Sequence, residues 1–240
     1  MRGLARQDAV ALVAGFPDAR LVAGDETRTE GRRYLRFNAA GLFNTHGTLV
    51  DTYGKHHLVP VGEAMPFQRL IPILGDLDVG QAEWTQGEPP GPLALTTPAG
   101  EVPIFVLICY EAVFSDLARQ AVRRGGAVLV NITNDGWFGR TAGPRQHAAL
   151  ARIRAVECGV PLVRCANNGI SMICDADGVI LDRLDLDRRG LVQATIATVA
   201  RETWYVRTGI WPALIYLVLW ALVGLWLARR GDDGESEEAA

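Results

Sequence analysis

Two stretches of the chain are apolar without alternation: Val102 to Ile108 (VPIFVLI) and Ala127 to Ile132 (AVLVNI). Continuous runs rich in β-branched residues predict strands buried on both faces. Between them a helical pattern runs through Leu117 to Val122, so the segment reads strand, helix, strand, a βαβ unit. Pro144 sits where the first turn of a helix tolerates it, the chain to Glu157 is predicted helical, and Gly159 is its stop. Pro161 to Cys165, Ser171 to Cys174, Val179 to Leu181 and Leu191 to Val199 predict further strands, separated by turns at Asn167-Asn168-Gly169 and Asp175-Ala176-Asp177-Gly178.

Upstream the pattern is weaker. Gln7 to Ala14 reads as a helix, Ala19 to Gly24 as a strand entering a polar loop that holds Glu26 and Glu30, and Phe37 to Leu42 and Leu49 to Tyr53 as short strands around His46-Gly47. From Met65 to Gly100 the density of Pro and Gly predicts a long surface excursion.

Ile210 to Ala228 holds 19 residues without a charge and is followed at once by Arg229 and Arg230. That length suits a bilayer-crossing helix, with Trp211 and Trp226 placed as interfacial anchors, whereas a helix packed in a globular core needs a polar face that this one lacks. Arg201 and Arg207 on one flank match Arg229 and Arg230 on the other, so charge sets no orientation. The predicted organisation is a domain over 1–205, a transmembrane helix with flanks over 206–230 and a disordered acidic tail over 231–240. Residues 1 to 15 carry Arg2, Arg6 and Asp8 and are too polar for a signal peptide.

Composition narrows the function classes. The chain has 240 residues, 49% hydrophobic, with a formal net charge of -3 and dispersed arginines, which argues against a nucleic-acid partner. Cys109, Cys158, Cys165 and Cys174 show neither C-x-x-C pairing nor zinc-type histidine spacing, so no metal is expected and about three of the four are expected to be buried small hydrophobes. A Cys165 to Cys174 disulfide is left open.

Cys109 lies where the first buried strand ends and a helical pattern begins, the place where open α/β sheets gather reactive groups. Backbone N–H groups there favour a thiolate, which makes Cys109 a candidate nucleophile, with an ordinary core cysteine as the alternative. Lys55 is the single lysine in a chain whose Lys and Arg total 24. A compact ammonium is a charge stabiliser that a guanidinium does not replace.

Tyr53-Gly54-Lys55-His56-His57-Leu58, Ile108-Cys109-Tyr110-Glu111 and Asn131 to Gly139 resemble the nitrilase, or carbon-nitrogen hydrolase, superfamily. Lys55 to Glu63, Asn134 to Gly139, Gly143-Pro144-Arg145-Gln146-His147, Arg152 to Glu157, Asn167-Asn168-Gly169 and the apolar helix after Arg207-Thr208-Gly209 narrow the resemblance to the apolipoprotein N-acyltransferases. The resemblance implies an α/β fold, a nitrilase-like α-β-β-α sandwich incomplete at its N-terminus and followed by one transmembrane helix. It implies acyl transfer from a phospholipid to the N-terminal amine of a diacylglyceryl-cysteine lipoprotein through a thioester, without a cofactor, at a bacterial inner membrane with the domain facing the periplasm. Cys109 would be the nucleophile, Lys55 the oxyanion stabiliser, Tyr110 a backbone oxyanion donor, and Glu63 and Glu111 acidic residues that help hold Lys55, with a surface or capping carboxylate in a helix first turn as the alternative for Glu111. Trp137 and Phe138 would line an acyl groove, or form a buried aromatic pair. His56, His57 and His147 are expected to pack or hydrogen-bond, and Asn167 and Asn168 to make a turn.

The resemblance breaks at one point. The superfamily places a glutamate general base in a Trp-Pro-Glu segment upstream of the lysine, and here only Glu26 and Glu30 precede Lys55. A fragment of a longer protein is the favoured explanation, ahead of a split protein or a decayed copy, and the chain alone is expected to be nearly inactive. A tail-anchored amidase and a membrane-tethered scaffold without catalysis are the competing readings.

Overall fold

The computed structural model describes residues 1–21, 34–60, 62–63, 84–198 and 201–237, with side chains of the last helix described through Leu227. Glu26, Glu30 and most of the Met65 to Gly100 excursion lie outside the described residues.

Helix α1 (Arg2–Asp8) leads into β1 (Leu12–Leu21), which pairs antiparallel with β2 (Tyr34–Phe43), itself antiparallel to β3 (Leu49–Gly54). The helix expected over Gln7 to Ala14 is therefore corrected. Ala9 adopts a left-handed φ of 50° that ends α1, and Ala14 belongs to the ladder with β2. Pairing with a distant strand outweighs local pattern here.

A second sheet has the order β4 (Leu93–Thr97), β5 (Gly100–Ile108), β6 (Val128–Thr133), β7 (Leu162–Ala166), β8 (Ser171–Cys174), β9 (Ile180–Leu184). Its centre, β5 to β7, is parallel and its edges are antiparallel. The crossovers are α2 (Ser115–Arg123) and α3 (Gly143–Cys158), and α3 ends where Gly159 takes a φ of 68°. Strand β4 was hidden in the Pro/Gly-rich stretch. Residues 191–198 form no strand, a correction: Gln193 N–H bonds the Asp182 carboxylate at 2.7 Å in place of a ladder partner.

Strand β5 is buried on both faces, as its unbroken apolar run predicts. Phe105 and Leu107 pack with Leu117, Ala121, Leu129 and Ala151 beneath the helices. Ile104, Val106 and Ile108 pack with Ala40, Leu42 and Tyr53 between the sheets. The layers are thus helix, sheet, sheet, a nitrilase-like α/β arrangement whose buried middle carries the strand ends to one edge.

Helix α4 (Trp204–Thr208) is tied down by Arg119, whose Nε donates to the carbonyls of Tyr205 and Val206, each at 3.1 Å. Helix α5 (Trp211–Glu237) then leaves the domain, and every described side chain from 210 to 227 is exposed. Among the described residues no helix is long and apolar enough to cross a membrane. The transmembrane reading of residues 206–230 therefore stands on the sequence pattern. The helix continues through Glu237, into the tail expected to be disordered, because extending a formed helix costs less than starting one.

Candidate active site

At the end of β5 the chain turns into a 3-10 helix over Cys109–Val113, with Cys109 at a left-handed φ of 54°. Holding a residue with a β-carbon there costs about 1–3 kcal/mol, so the surroundings must enforce it. They do so at both ends of the residue. Ile108 N–H donates to Glu111 Oε2 at 2.7 Å, and the Cys109 carbonyl accepts from Asn131 Nδ2 at 3.4 Å and lies 3.1 Å from His147 Nε2.

The four cysteines are free, so the disulfide left open between Cys165 and Cys174 is not formed. Only Cys158 and Cys174 are buried, not three, because Cys165 is exposed and Cys109 half-buried. Burial pushes the Cys158 thiol up to about 12 and that of Cys174 to about 11, which disfavours the thiolate in both. Cys109 combines access with a constrained backbone.

Lys55 follows β3 and is fully buried. An ammonium without water needs a partner, and Glu63 Oε2 lies 2.5 Å from Nζ. Glu63 is itself held: Oε1 accepts from Asn38 Nδ2 and Oε2 from Val59 N–H, both at 2.9 Å. The pairing expected of Glu63 is present, while Asn38 escaped the sequence reading. Gly87 closes over this segment, donating its N–H to the Lys55 carbonyl at 2.8 Å. It comes so near Gly54 that a β-carbon would collide with the Gly54 backbone.

Glu111 was expected to help hold Lys55 or to cap the first helical turn. Its carboxylate accepts from the Tyr53 hydroxyl at 2.7 Å, from His56 and His57 N–H at 2.8 and 3.0 Å, and from Ile108 N–H at 2.7 Å. One fully buried carboxylate therefore ties the residues flanking Lys55 to the residue preceding Cys109 and caps the 3-10 turn. The reason is reach: third in a turn that starts at Cys109, it faces the amides that β3 releases. Burial raises its pKa above the ordinary carboxyl value, and the hydrogen bonds from His57, Tyr53, Ile108 and His56 work against that rise. The Tyr53 hydroxyl is pushed far up by burial and by Glu111.

Beyond Cys109 lies a buried network that the sequence did not disclose as a unit. Arg164 on β7 is fully buried; its Nη2 donates to Asp135 Oδ2 at 2.7 Å, its Nη1 to Asn131 Oδ1, and its Nε to the Ile170 carbonyl at 3.1 Å. Asp135 Oδ1 takes His147 Nδ1 at 2.9 Å and the Thr133 hydroxyl at 3.0 Å. Burial alone would raise the Asp135 carboxyl; the His147 hydrogen bond and the Arg164 charge outweigh it and hold the group below its ordinary value. Arg164 was missed altogether, although an arginine inside the apolar run Pro161 to Cys165 is a sign of a buried charge with a partner.

Tyr110 and Trp137 are open to solvent, at 37% and 72% exposure, so Trp137 and Phe138 are not a buried pair. The Phe138 ring lies 5.7 Å from that of His147, and Tyr110 stands edge-on to Phe114 at 5.7 Å. Among the described residues no group of three or more His, Cys, Asp or Glu side chains is placed to hold a metal ion.

The profile of the carbon-nitrogen hydrolase family matches residues 1–205. Proteins named apolipoprotein N-acyltransferase are similar to most of the chain. The Geobacter metallireducens protein is 35% identical over 209 residues, covering 87% of this chain and 38% of its own. The Rhizobium leguminosarum protein is 37% identical over 233 residues, covering 94% and 42%. The Rhodopseudomonas palustris protein is 38% identical over 207 residues, covering 85% and 38%. The chain therefore spans about two-fifths of the length of these relatives. Among solved structures, an amidase from Nesterenkonia sp. AN1 superposes with a TM-score of 0.53 at 25% identity, over 78% of this chain and 63% of that one; acrylamide has added to its active site cysteine. A Helicobacter pylori carbon-nitrogen hydrolase, TM-score 0.58 at 21% identity over 82% and 65%, shares the fold.

Proposed function

We propose, for a chain that belongs to the carbon-nitrogen hydrolase family, that its site performs the thiol chemistry of an apolipoprotein N-acyltransferase. Cys109 Sγ attacks the ester carbonyl of a phospholipid. A carbon-sulfur bond forms, the carbonyl pair moves onto oxygen, and on collapse the lysolipid alkoxide leaves and takes up a proton. The α-amino group of a diacylglyceryl-cysteine lipoprotein then attacks the thioester, loses a proton, and the thiolate departs as the amide forms. Each attack puts negative charge on one oxygen, and Lys55 Nζ with the Tyr110 N–H are the groups of the right polarity to receive it.

The observation that carries the reading is the Glu111 strut, which binds the lysine-bearing and cysteine-bearing segments through four hydrogen bonds in one buried place. The exposed apolar surface of α5 supports a lipid setting: Trp211, Ile215, Trp220 and Trp226 are all more than half exposed. We place this helix across a bacterial inner membrane with the domain on its outer side, and Trp137 at the mouth where acyl chains enter. Full turnover also needs a base for the thiol proton, worth about 10²–10⁴ in rate, and Glu63 is committed to Lys55.

The test is to incubate the chain with phosphatidylethanolamine vesicles and measure its intact mass. A single hydroxylamine-labile acyl adduct that disappears in Cys109→Ala is the expected result. Equal labelling of the variant would overturn the thioester. Release of ammonia from small amides with no lipid adduct would favour the amidase reading, which the Nesterenkonia likeness suggests.

A further inference from the structure

We infer that Arg164, Asp135, His147 and Asn131 form a positioning relay that fixes the peptide plane between Cys109 and Tyr110 and thereby aims the Tyr110 N–H at the developing oxyanion. The inference rests on the acyl-transfer reading given above and assigns a task to side chains which that mechanism does not use.

In a trans peptide the C=O and the following N–H point in opposite directions. Gripping the Cys109 carbonyl from one side therefore sends the Tyr110 N–H to the other. His147 Nε2 lies 3.1 Å from it and, carrying its hydrogen in the relay, grips it together with Asn131 Nδ2, which also reaches the Leu107 carbonyl at 2.8 Å. Among the described residues no protein acceptor takes the Tyr110 N–H, which leaves that donor for a ligand.

The two gripping side chains are oriented in turn. Asp135 fixes the His147 ring through Nδ1, and Arg164 fixes both Asp135 and the Asn131 oxygen, so one guanidinium on β7 sets the angle of both donors. Gly169 belongs to the same device. A β-carbon at that position would strike the Asp135 carboxylate, which gives the Asn167-Asn168-Gly169 turn a reason beyond reversing the chain. The relay's end point is a backbone that would relax if released, since Cys109 sits at a φ of 54°.

Ester acylation and alkylation separate this role from mere scaffolding. Attack on an ester develops an oxyanion; displacement of iodide from iodoacetamide by the same thiolate does not. Both rates are read by intact mass on the 240-residue chain, with p-nitrophenyl butyrate as the ester, at one alkaline pH. His147→Ala is expected to lower Cys109 acylation by about 10²-fold while alkylation stays within about 3-fold, the signature of a lost oxyanion donor. His147→Gln retains a donor and is expected to recover most of the rate. Equal losses in both reactions, or no loss in either with circular dichroism unchanged, would overturn the relay. Should His147→Ala fail to fold, the same ratio is taken from His147→Asn, too short to span Asp135 and the Cys109 carbonyl. If wild-type Cys109 is acylated no faster than exposed Cys165, the acyl-transfer reading itself fails; if it is acylated and the variants match it, only the relay does.

Discussion

Two buried carboxylates stand at the Cys109 turn, Glu111 on the side of the segment that carries Lys55 and Asp135 on the side of Arg164, and their pKa values end on opposite sides of the ordinary carboxyl range. Both have lost water, which by itself raises a carboxyl pKa. Glu111 ends above its ordinary value because its donors, a phenol and three backbone amides, are neutral dipoles. Asp135 ends below because a guanidinium and an imidazole face it. In the same sequence span the protein thus builds one junction from dipoles and one from charges. The dipolar one joins separate segments, and the charged one sets angles.

The strongest way to break that contrast is to strand the charge. Arg164→Met leaves Asp135 buried without its cation and is expected to cost about 3–5 kcal/mol in urea unfolding. Adding Asp135→Leu should return a large part of it, since an apolar replacement of a whole buried pair is often neutral. A loss below about 1 kcal/mol in the single variant would mean that water already reaches the pair.

Lys55→Arg tests the other side of the site. The charge is kept but the compact ammonium, held 2.5 Å from Glu63 in a place with no exposure, is replaced by a planar fork. Acylation of Cys109 by p-nitrophenyl butyrate is expected to fall by about 10²-fold, the scale of one lost oxyanion donor. A rate within about 3-fold of wild type would show that any cation suffices.

Glu111→Gln should be milder than Arg164→Met, because it strands dipoles rather than a charge. The new amide nitrogen must face at least one of the donors that Glu111 now accepts, so one buried N–H or hydroxyl goes unpaired, at about 1–3 kcal/mol. Urea unfolding decides, and a loss equal to that of Arg164→Met would erase the distinction between the two junctions.

Much of the fold and some of the site residues were legible in the sequence, whereas the division into two junctions was not, and the limits are physical. Val102 to Ile108 and Ala127 to Ile132 declared themselves as central strands because burial on both faces leaves no polar alternation to confuse. Lys55, Glu63 and Cys109 were visible as chemistry-bearing types in familiar spacing, and the lysine pairs with Glu63 as expected. What failed was whatever depends on a distant partner. Residues 7–14 looked helical until β2 claimed Ala14, and residues 191–198 looked like a strand but found no ladder. Arg164 was passed over as part of a strand because its meaning lies in Asp135 and Asn131, 29 and 33 residues away. Glu111 was expected to help hold Lys55 or to cap the turn, and it caps the turn and binds the residues on either side of Lys55 rather than the ammonium, since sequence neighbours say nothing of which way a turn aims its third side chain.

The smallest expected effect is also the sharpest test of the contrast, because it has a sign. Asp135 binds its proton less readily folded than unfolded, so in acid the unfolded chain holds more protons. The stability it contributes is complete above its ordinary value of 3.8 and is lost as pH falls through the lower folded value. Glu111 does the reverse: folded, it keeps its proton to higher pH, so stability declines as pH climbs past its ordinary value of 4.5 and levels off above the folded one. Each group contributes a slope of at most about 1.4 kcal/mol per pH unit. Unfolding free energies measured across the acid range should therefore lose their steep lower limb in Asp135→Asn and their decline above 4.5 in Glu111→Gln, each variant leaving the other limb in place. If both substitutions flatten the same limb, the two carboxylates titrate as one coupled group, and the division of the site into a dipolar and a charged junction does not hold.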